Sequence, residues 1–280
     1  MSNGTVVANK KQAARRKREL IIRGKPIIVY QMGKVGSSTI LGGLRNRMLD
    51  DSVHHIHVLA PESIIESRER NLKDQSRVPE QLGHSLLIRD YLDSEADPSI
   101  DVITAVREPI AQKVSSLFQN IHQQQPHLIS KDGRWLEEET ESFVRSTIES
   151  YDVDNEWNCN WFDNDFYPAL GVDIYQYPFD KELGATTIEK GQCRILILKL
   201  ESSENWVSEI TRFLDFDSDL ELVKLNDSND KDYKATYRAI TSRLKFSEEL
   251  LEKIYGTKFC RHFYSPQSLE AFKQRWRKEA

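Results

Sequence analysis

The feature that most constrains this chain is residues 27–40, IIVYQMGKVGSSTI, where an apolar run passes into a glycine-rich loop. The first residues are β-branched or aromatic and predict a buried strand, and the residues that follow predict a helix with Leu41, Leu44 and Met48 at helical spacing. A helix N-terminus offers unpaired backbone N–H groups and a partial positive charge. The strand–loop–helix order therefore predicts an anion site, with phosphate as the expected anion.

The loop carries the residue types that a phosphate site needs. Gly36 allows the backbone to approach an anion closely, and Lys34 adds a full positive charge. Hydroxyl donors come from Ser37, Ser38 and Thr39. The spacing matches neither G-x-x-x-x-G-K-[ST] nor G-x-G-x-x-G, because the lysine precedes the last glycine. An ordinary β–α turn with a glycine at the helix start remains the alternative interpretation.

Three further apolar runs, SVHHIHVL, IDVITAVR and CRILILKLE, predict strands that are separated by helical segments. One of these helices has Pro109 in its first turn, where proline is favoured. Strands separated by helices imply right-handed βαβ connections. The predicted fold is therefore α/β, with a three-layer parallel sheet flanked by helices. An insertion rich in helix and aromatic residues, at about residues 120–185, is expected over the carboxyl edge of the sheet.

Charge divides the 280 residues into two parts. The net charge is −5, yet residues 1–25 carry +7, which leaves −12 on the remainder. We therefore predict a basic tail or helix at residues 1–24 and a single domain at residues 25–280. The acidic body disfavours nucleic acid as a partner. The basic run leaves two interpretations open, a solvated segment or a weak contact with an anionic membrane surface.

The expected location is the cytoplasm. No apolar run reaches the roughly 18 residues of a membrane helix, and no apolar segment of a secretory signal follows the basic start. Three scattered cysteines, Cys159, Cys193 and Cys260, form no CxxC pattern and favour a reducing compartment.

A second candidate anion site follows the third predicted strand. Arg107 ends that strand, and Ser115 lies eight residues further along the chain, in the next predicted helix. An arginine at a strand end can bind phosphate through two parallel hydrogen bonds. Arg107 could instead pair with a carboxylate. Two such sites at the carboxyl ends of strands in one sheet favour the phosphate interpretation.

The stretches QMGKVGSSTI and VREPIAQKVSSLF, in this order, resemble the two cofactor motifs of the sulfotransferase family. That family uses PAPS (3′-phosphoadenosine 5′-phosphosulfate) as co-substrate and needs no metal ion, and its fold is P-loop-like. The resemblance implies that the 3′-phosphate is bound by Arg107 and Ser115. It implies that the 5′-phosphosulfate is bound by Lys34, Gly36, Ser37 and Ser38, with Thr39 as a weaker addition.

Other segments extend the resemblance to about residues 26–275. LILKLESSENWVSEITRFLDF is similar to the strand-then-helix pattern of the family, with Glu201 at the position of its glutamate, where we expect a structural role. WFDNDFYPALGVDIYQYPFDKELG and RHFYSPQSLEAFKQRW resemble bacterial proteins of capsular polysaccharide synthesis.

Sulfuryl transfer to an alcohol needs a base for the acceptor proton, and histidine titrates in the right range. Strand alternation in SVHHIHVL places His55 and His57 on one face and His54 on the other. His57 lies nearer the carboxyl end, and HIHV resembles a segment of uronyl 2-O-sulfotransferases whose second histidine is the base. We therefore predict His57 as the base and His55 as a supporting group. A structural histidine pair and Glu62 as the base are the alternatives, and the absence of a nearby cysteine disfavours a metal.

The resemblance thus predicts an enzyme that moves a sulfuryl group from PAPS to a hydroxyl of an acceptor, releasing PAP (3′-phosphoadenosine 5′-phosphate). A carbohydrate or polysaccharide is the expected acceptor. Aromatic residues of the insertion would either stack on sugar rings or pack the insertion onto the sheet: Trp157, Trp161, Phe162, Tyr167, Tyr175 and Tyr177. Two other functions stay open, a P-loop-type nucleotide-dependent kinase and a non-catalytic nucleotide-binding protein in capsular polysaccharide assembly.

Overall fold

A computed structural model of the chain describes most of the sequence after the basic start. The described residues are 25–48, 52–74, 79–130, 132–154, 157–218, 220–222 and 233–278. The predicted basic segment, residues 1–24, lies outside them, so the division at residue 25 stays a prediction. Among the described residues, no helix has both the length and the apolar character needed to cross a membrane.

The centre of the fold is a five-stranded mixed sheet with the order β2-β1-β3-β5-β4. The neighbouring pairs β1–β2, β1–β3 and β3–β5 are parallel, and β4 is antiparallel to β5. The strands are β1 (Ile27–Tyr30), β2 (Val53–Ile56), β3 (Ile100–Val106), β4 (Ala185–Lys190) and β5 (Cys193–Lys199). Every residue of β3 is buried, as is typical of a central parallel strand covered on both faces.

The four strands predicted from apolar runs are confirmed as β1, β2, β3 and β5. The prediction of a purely parallel sheet was wrong, because β4 forms an antiparallel edge where we expected the end of the insertion. The two-residue turn between β4 and β5 begins at Gly191, whose φ of 59° favours glycine. Such a tight turn can join only antiparallel strands.

Helices follow the strands as the sequence predicts. They are α1 (Ser37–Arg47), α2 (Pro61–Asp74), α3 (Glu80–Ser94), α4 (Pro109–Gln124), α5 (Glu137–Glu149), α6 (Trp157–Trp161), α7 (Tyr167–Leu170), α8 (Trp206–Phe213), α9 (Lys234–Arg243), α10 (Glu248–Tyr255), α11 (Lys258–Phe263) and α12 (Pro266–Trp276). A π-helical turn, Phe162–Phe166, joins α6 to α7, and short 3₁₀ turns cover Pro126–Leu128, Ile174–Gln176 and Leu200–Asn205. The chain is thus an α/β protein with a five-stranded sheet flanked by helices.

The aromatic insertion packs against the carboxyl end of β1. The Tyr30 ring lies 4.8 Å from the Trp161 ring and 5.3 Å from the Phe166 ring, and all three side chains are buried. The Tyr30 hydroxyl also donates a hydrogen bond to the Asp165 carboxylate. These contacts attach the insertion to the sheet.

Candidate functional site

The strand order creates a crevice at the carboxyl edge of the sheet. The chain passes from β1 to β2 on one side, and β3 lies on the other side of β1. In open α/β sheets, ligands bind at such a change of direction. A cavity of about 890 Å³ lies here, and the loops after β1, β2, β3 and β5 all contribute to its wall.

The loop between β1 and α1 forms one part of this wall. Gly36 has a φ of 91° and precedes α1, whose N-terminus has no side-chain cap and no acidic residue in its first turn. The Thr39 N–H donates to the Gly36 carbonyl at 3.1 Å, whereas the N–H groups of Ser37 and Ser38 precede the first helical hydrogen bond. The loop residues predicted to bind an anion all line the cavity: Lys34, Gly36, Ser37, Ser38 and Thr39.

The second predicted motif lines the same cavity. Arg107 follows β3, and its guanidinium donates a hydrogen bond of 3.0 Å to the Lys34 carbonyl. Ser115 and Gln119 lie on α4, and the Lys34 amino group donates to the Gln119 side-chain oxygen at 2.6 Å. The structure therefore brings together Lys34 and Arg107, which are 73 residues apart in sequence.

Glu201 lies outside this cavity and contacts the backbone that carries Arg107. Its carboxylate accepts hydrogen bonds from the Glu108 N–H at 2.8 Å and from the Tyr264 hydroxyl at 3.2 Å. The Glu108 side chain in turn caps α4 by accepting from the Ile110 and Ala111 N–H groups. Through these contacts Glu201 positions the connection between β3 and α4.

His57 enters the cavity from the loop after β2, and His55 lines it too. The His57 Nδ1 lies 2.9 Å from the Gln31 carbonyl, which can only accept, so Nδ1 carries the proton and Nε2 is the basic nitrogen. Burial lowers the pKa of His57, partly offset by this hydrogen bond. Burial, followed by the charge of His57, lowers the pKa of His55 to about 3. His54 points to the other face, as predicted, with its ring 5.3 Å from that of His84.

Two residues of the insertion hold the segment that carries His57. The Trp161 indole N–H donates to the His57 carbonyl at 3.1 Å, and the Asp165 carboxylate accepts from the Leu59 N–H at 2.8 Å. Trp161 and Asp165 lie about one helical turn apart, so a single rigid segment fixes both positions. Burial raises the pKa of the Asp165 carboxyl. Sequence reasoning missed this role of Asp165, since its partners are over 100 residues away.

Trp161 and Phe162 are buried and serve packing, as the second interpretation predicted, whereas Tyr167 is 51% exposed. None of the described side chains among Trp161, Phe162, Tyr167, Tyr175 and Tyr177 lines the cavity, and the Trp157 side chain lies outside the description. Glu62 lies in the first turn of α2 and is not part of the cavity wall either. Apolar and aromatic wall residues that sequence reasoning missed are Leu200, Trp206, Val207, Leu222, Tyr233 and Tyr237. Their apolar character was visible in sequence, but their placement here depends on tertiary packing.

We expect a Gly36→Ala substitution to destabilise the loop. A Cβ atom at Gly36 would lie 2.6 Å from the Trp206 ring and 3.0 Å from Leu200, and the left-handed φ adds strain. Left-handed backbone costs roughly 1–2 kcal/mol and overpacking roughly 1–3 kcal/mol, so thermal unfolding should shift down by several degrees. Gly33→Ala is the matched control, because nothing lies within 4 Å of its Cβ position. Equal melting temperatures for the two variants would contradict this account.

Comparison with protein families finds a similarity on the insertion side of this site. Residues 147–265 match the family NKWYS, described as "Putative capsular polysaccharide synthesis protein". The match covers less than half of the chain. Searches of curated proteins and of solved structures gave no match.

The segment similar to NKWYS contributes part of the site. It contains Trp161 and Asp165, which hold the His57 segment, and it contains the β5 end with Leu200 and Trp206. Arg107 and the loop predicted to bind phosphate precede the matched residues. The cavity wall therefore combines residues of the two predicted anion motifs, which precede the match, with residues inside the match.

Proposed function

We propose that this protein transfers a sulfuryl group from PAPS to a hydroxyl group of a carbohydrate acceptor in polysaccharide biosynthesis. The observation that carries the proposal is the meeting of both predicted phosphate motifs and His57 in one cavity. Its volume of about 890 Å³ suits a ligand of nucleotide size, since such pockets span roughly 300–1,000 Å³. The similarity of residues 147–265 to a capsular polysaccharide synthesis family supports a glycan as the acceptor.

The residues fit a doubly phosphorylated nucleotide. Lys34 and the free N–H groups at the start of α1 would hold the 5′-phosphosulfate. Arg107 and Ser115 would hold the 3′-phosphate, and the remaining N–H donors of Arg107 allow a bidentate contact. The proposed reaction needs no metal ion. Among the described residues no cluster of metal-ligand side chains occurs.

The proposed chemical step is an in-line displacement at sulfur. The acceptor oxygen forms a new bond to sulfur while its proton moves to Nε2 of His57. The bond between sulfur and the bridging oxygen breaks, and its electron pair leaves with the phosphate of PAP. Lys34 and the α1 N–H groups stabilise the charge that develops on that phosphate. Positioning and electrostatics thus carry most of the barrier reduction, as in phosphoryl transfer.

Ligand-dependent thermal stability tests the nucleotide assignment. PAP should raise the melting temperature, because a ligand that binds only the folded state stabilises it by mass action. ATP with Mg²⁺ should have little effect. Stabilisation by ATP–Mg²⁺ alone would overturn the proposal in favour of a kinase. Stabilisation by PAP without sulfate transfer to any member of a broad glycan panel would favour a binding protein.

Arg107→Ala should weaken PAP binding by roughly 10–150-fold, because a hydrogen bond to a charged group contributes about 1.5–3 kcal/mol. Adenosine 5′-monophosphate lacks the 3′-phosphate, so its affinity should change much less. Calorimetric titration of both nucleotides gives the ratio of affinities, which is insensitive to a general loosening of the loop. Arg134→Ala is the control, because the Arg134 side chain is 83% exposed and outside the cavity wall. An unchanged ratio in Arg107→Ala would refute the assigned role.

A further inference from the structure

The two ends of the cavity differ in charge. Among the described lining residues, the ionic side chains are Lys34, Arg107 and Glu204, which lie in the segments that follow β1, β3 and β5. The end at β2 is lined by His55, His57 and Gln81, the last from the first turn of α3. Since β2 is the edge strand next to β1, this end lies on the opposite side of β1 from β3 and Arg107. The β2 end therefore combines hydrogen-bonding side chains with no formal charge.

These side chains are uncharged at neutral pH and present both donors and acceptors. The pKa values of His55 and His57 are lowered by burial, so both rings stay neutral. A neutral imidazole offers one donor and one acceptor, and the Gln81 amide offers both kinds. Such groups match hydroxyls, which also donate and accept.

Unpartnered polar atoms are concentrated beside this end. The His55 Nε2 is buried and has no hydrogen-bond partner among the described residues. Both polar atoms of the Gln31 side chain are also buried and have no hydrogen-bond partner among the described residues. Gln31 lies two residues after Val29, the register partner of His55, so the alternation places Gln31 and His55 on one face of the sheet. Leaving such groups unsatisfied costs roughly 1–3 kcal/mol each, so the interior behind this end is polar and carries no formal charge.

Arg45, a cation whose charge acts on His55, has a carboxylate partner. The Arg45 charge contributes to the lowered pKa of His55, so the two residues are neighbours. Arg45 is not part of the cavity wall, and its guanidinium lies 3.9 Å from the Glu80 carboxylate. An acidic ligand unit at the β2 end would thus meet neutral groups and a cation that already has a counter-ion. Burying a carboxylate without a counter-charge is costly.

We propose that the β2 end of the cavity is the acceptor subsite and that it selects an uncharged, hydroxyl-rich sugar unit over a uronate or other acidic unit. This inference rests on the proposed function, because His57 marks the acceptor end only if it is the base. It adds the charge class of the acceptor, and it differs from the uronyl unit that the HIHV resemblance alone would suggest. Gln81 is the residue expected to contact the acceptor beside His57.

The test uses neutral oligosaccharides, each paired with a counterpart in which one CH₂OH group is oxidised to a carboxylate. Saturation-transfer NMR with the PAP-loaded protein measures binding, and labelled PAPS measures sulfate transfer. The neutral member of a pair should bind and react at least roughly tenfold better. Preference for the uronate, equal use of both, or binding of neither member in every pair would overturn the inference. PAP binding is checked separately, so failure of PAP to bind would count against the proposed function instead.

Two matched variants test whether the β2 end of the cavity determines the preference between neutral and acidic acceptors. Gln81→Arg places a cation at the β2 end, and the uronate-to-neutral ratio should rise several-fold. Gln119→Arg makes the same change on α4, beside Lys34, and should leave this ratio unchanged. Because the ratio compares two acceptors on the same protein, a partial loss of folded protein or of PAPS binding lowers both rates equally and leaves the ratio unchanged. An unchanged ratio in Gln81→Arg, or an equal rise in Gln119→Arg, would refute the assignment of this end.

Discussion

Replacing Lys34 by methionine is expected to lower the turnover of PAPS-dependent sulfate transfer by roughly 10²–10³, the effect of losing one transition-state donor. Lys34 lines the cavity beside the N-terminus of α1, where the departing phosphate would lie. In the proposed mechanism its charge would stabilise a group that becomes more negative as the sulfur–oxygen bond breaks. The loss should therefore appear mainly in kcat, with a smaller effect on PAP affinity. Methionine keeps the length of the side chain, so packing of the loop is preserved.

The measurement for Lys34 combines single-turnover transfer from labelled PAPS with calorimetric titration of PAP. Lys113→Met is the matched control, because Lys113 lies on the neighbouring helix α4 but not in the cavity wall. That control should retain full turnover. Full PAPS-dependent activity in Lys34→Met would refute the catalytic role. An equal loss in both variants would point to a general effect on the fold.

The four strands that form the parallel part of the sheet were predictable because each is a short, continuous apolar run. Ile27–Tyr30 is buried throughout, so its sequence needs no polar alternation and stands out between polar segments. Ala185–Lys190 escaped prediction because it is a half-exposed edge strand with polar residues, within a segment that reads as turns and aromatics. Its strand state depends on pairing with β5, which sequence pattern alone does not reveal.

The part of the candidate site that was predictable from the sequence consists of residues whose positions depend on their neighbours in the chain. Gly36 and Ser37 mark a loop and a helix start, and their position at the start of α1 follows from residues close in sequence. The residues that support the site from afar were not predictable in this way. Trp161 donates to a carbonyl 104 residues away, and Asp165 accepts from an N–H 106 residues away. Only the folded chain places them beside His57.

Replacing His57 by alanine is expected to lower turnover by roughly 10²–10⁴, the usual contribution of a general base. The His57 Nδ1 donates to the Gln31 carbonyl and the Trp161 indole holds the His57 carbonyl, so Nε2 is fixed within the cavity wall. Added imidazole should restore part of the activity of His57→Ala, because a small base can enter the space left by the ring. PAP affinity should change little, since the phosphates bind to other groups.

The pH dependence of kcat/KM separates a base from a structural histidine. Burial favours the neutral ring and lowers the pKa of His57 below its usual 6.5. The proposed base is therefore already deprotonated at neutral pH, and activity should fall only on acidification below the usual pKa of 6.5. In His57→Ala this acidic limb should disappear, whereas His127→Ala, a change on the 3₁₀ turn Pro126–Leu128, should retain it. An acidic limb that survives in His57→Ala would assign the titration to another group, and the proposed base would be wrong.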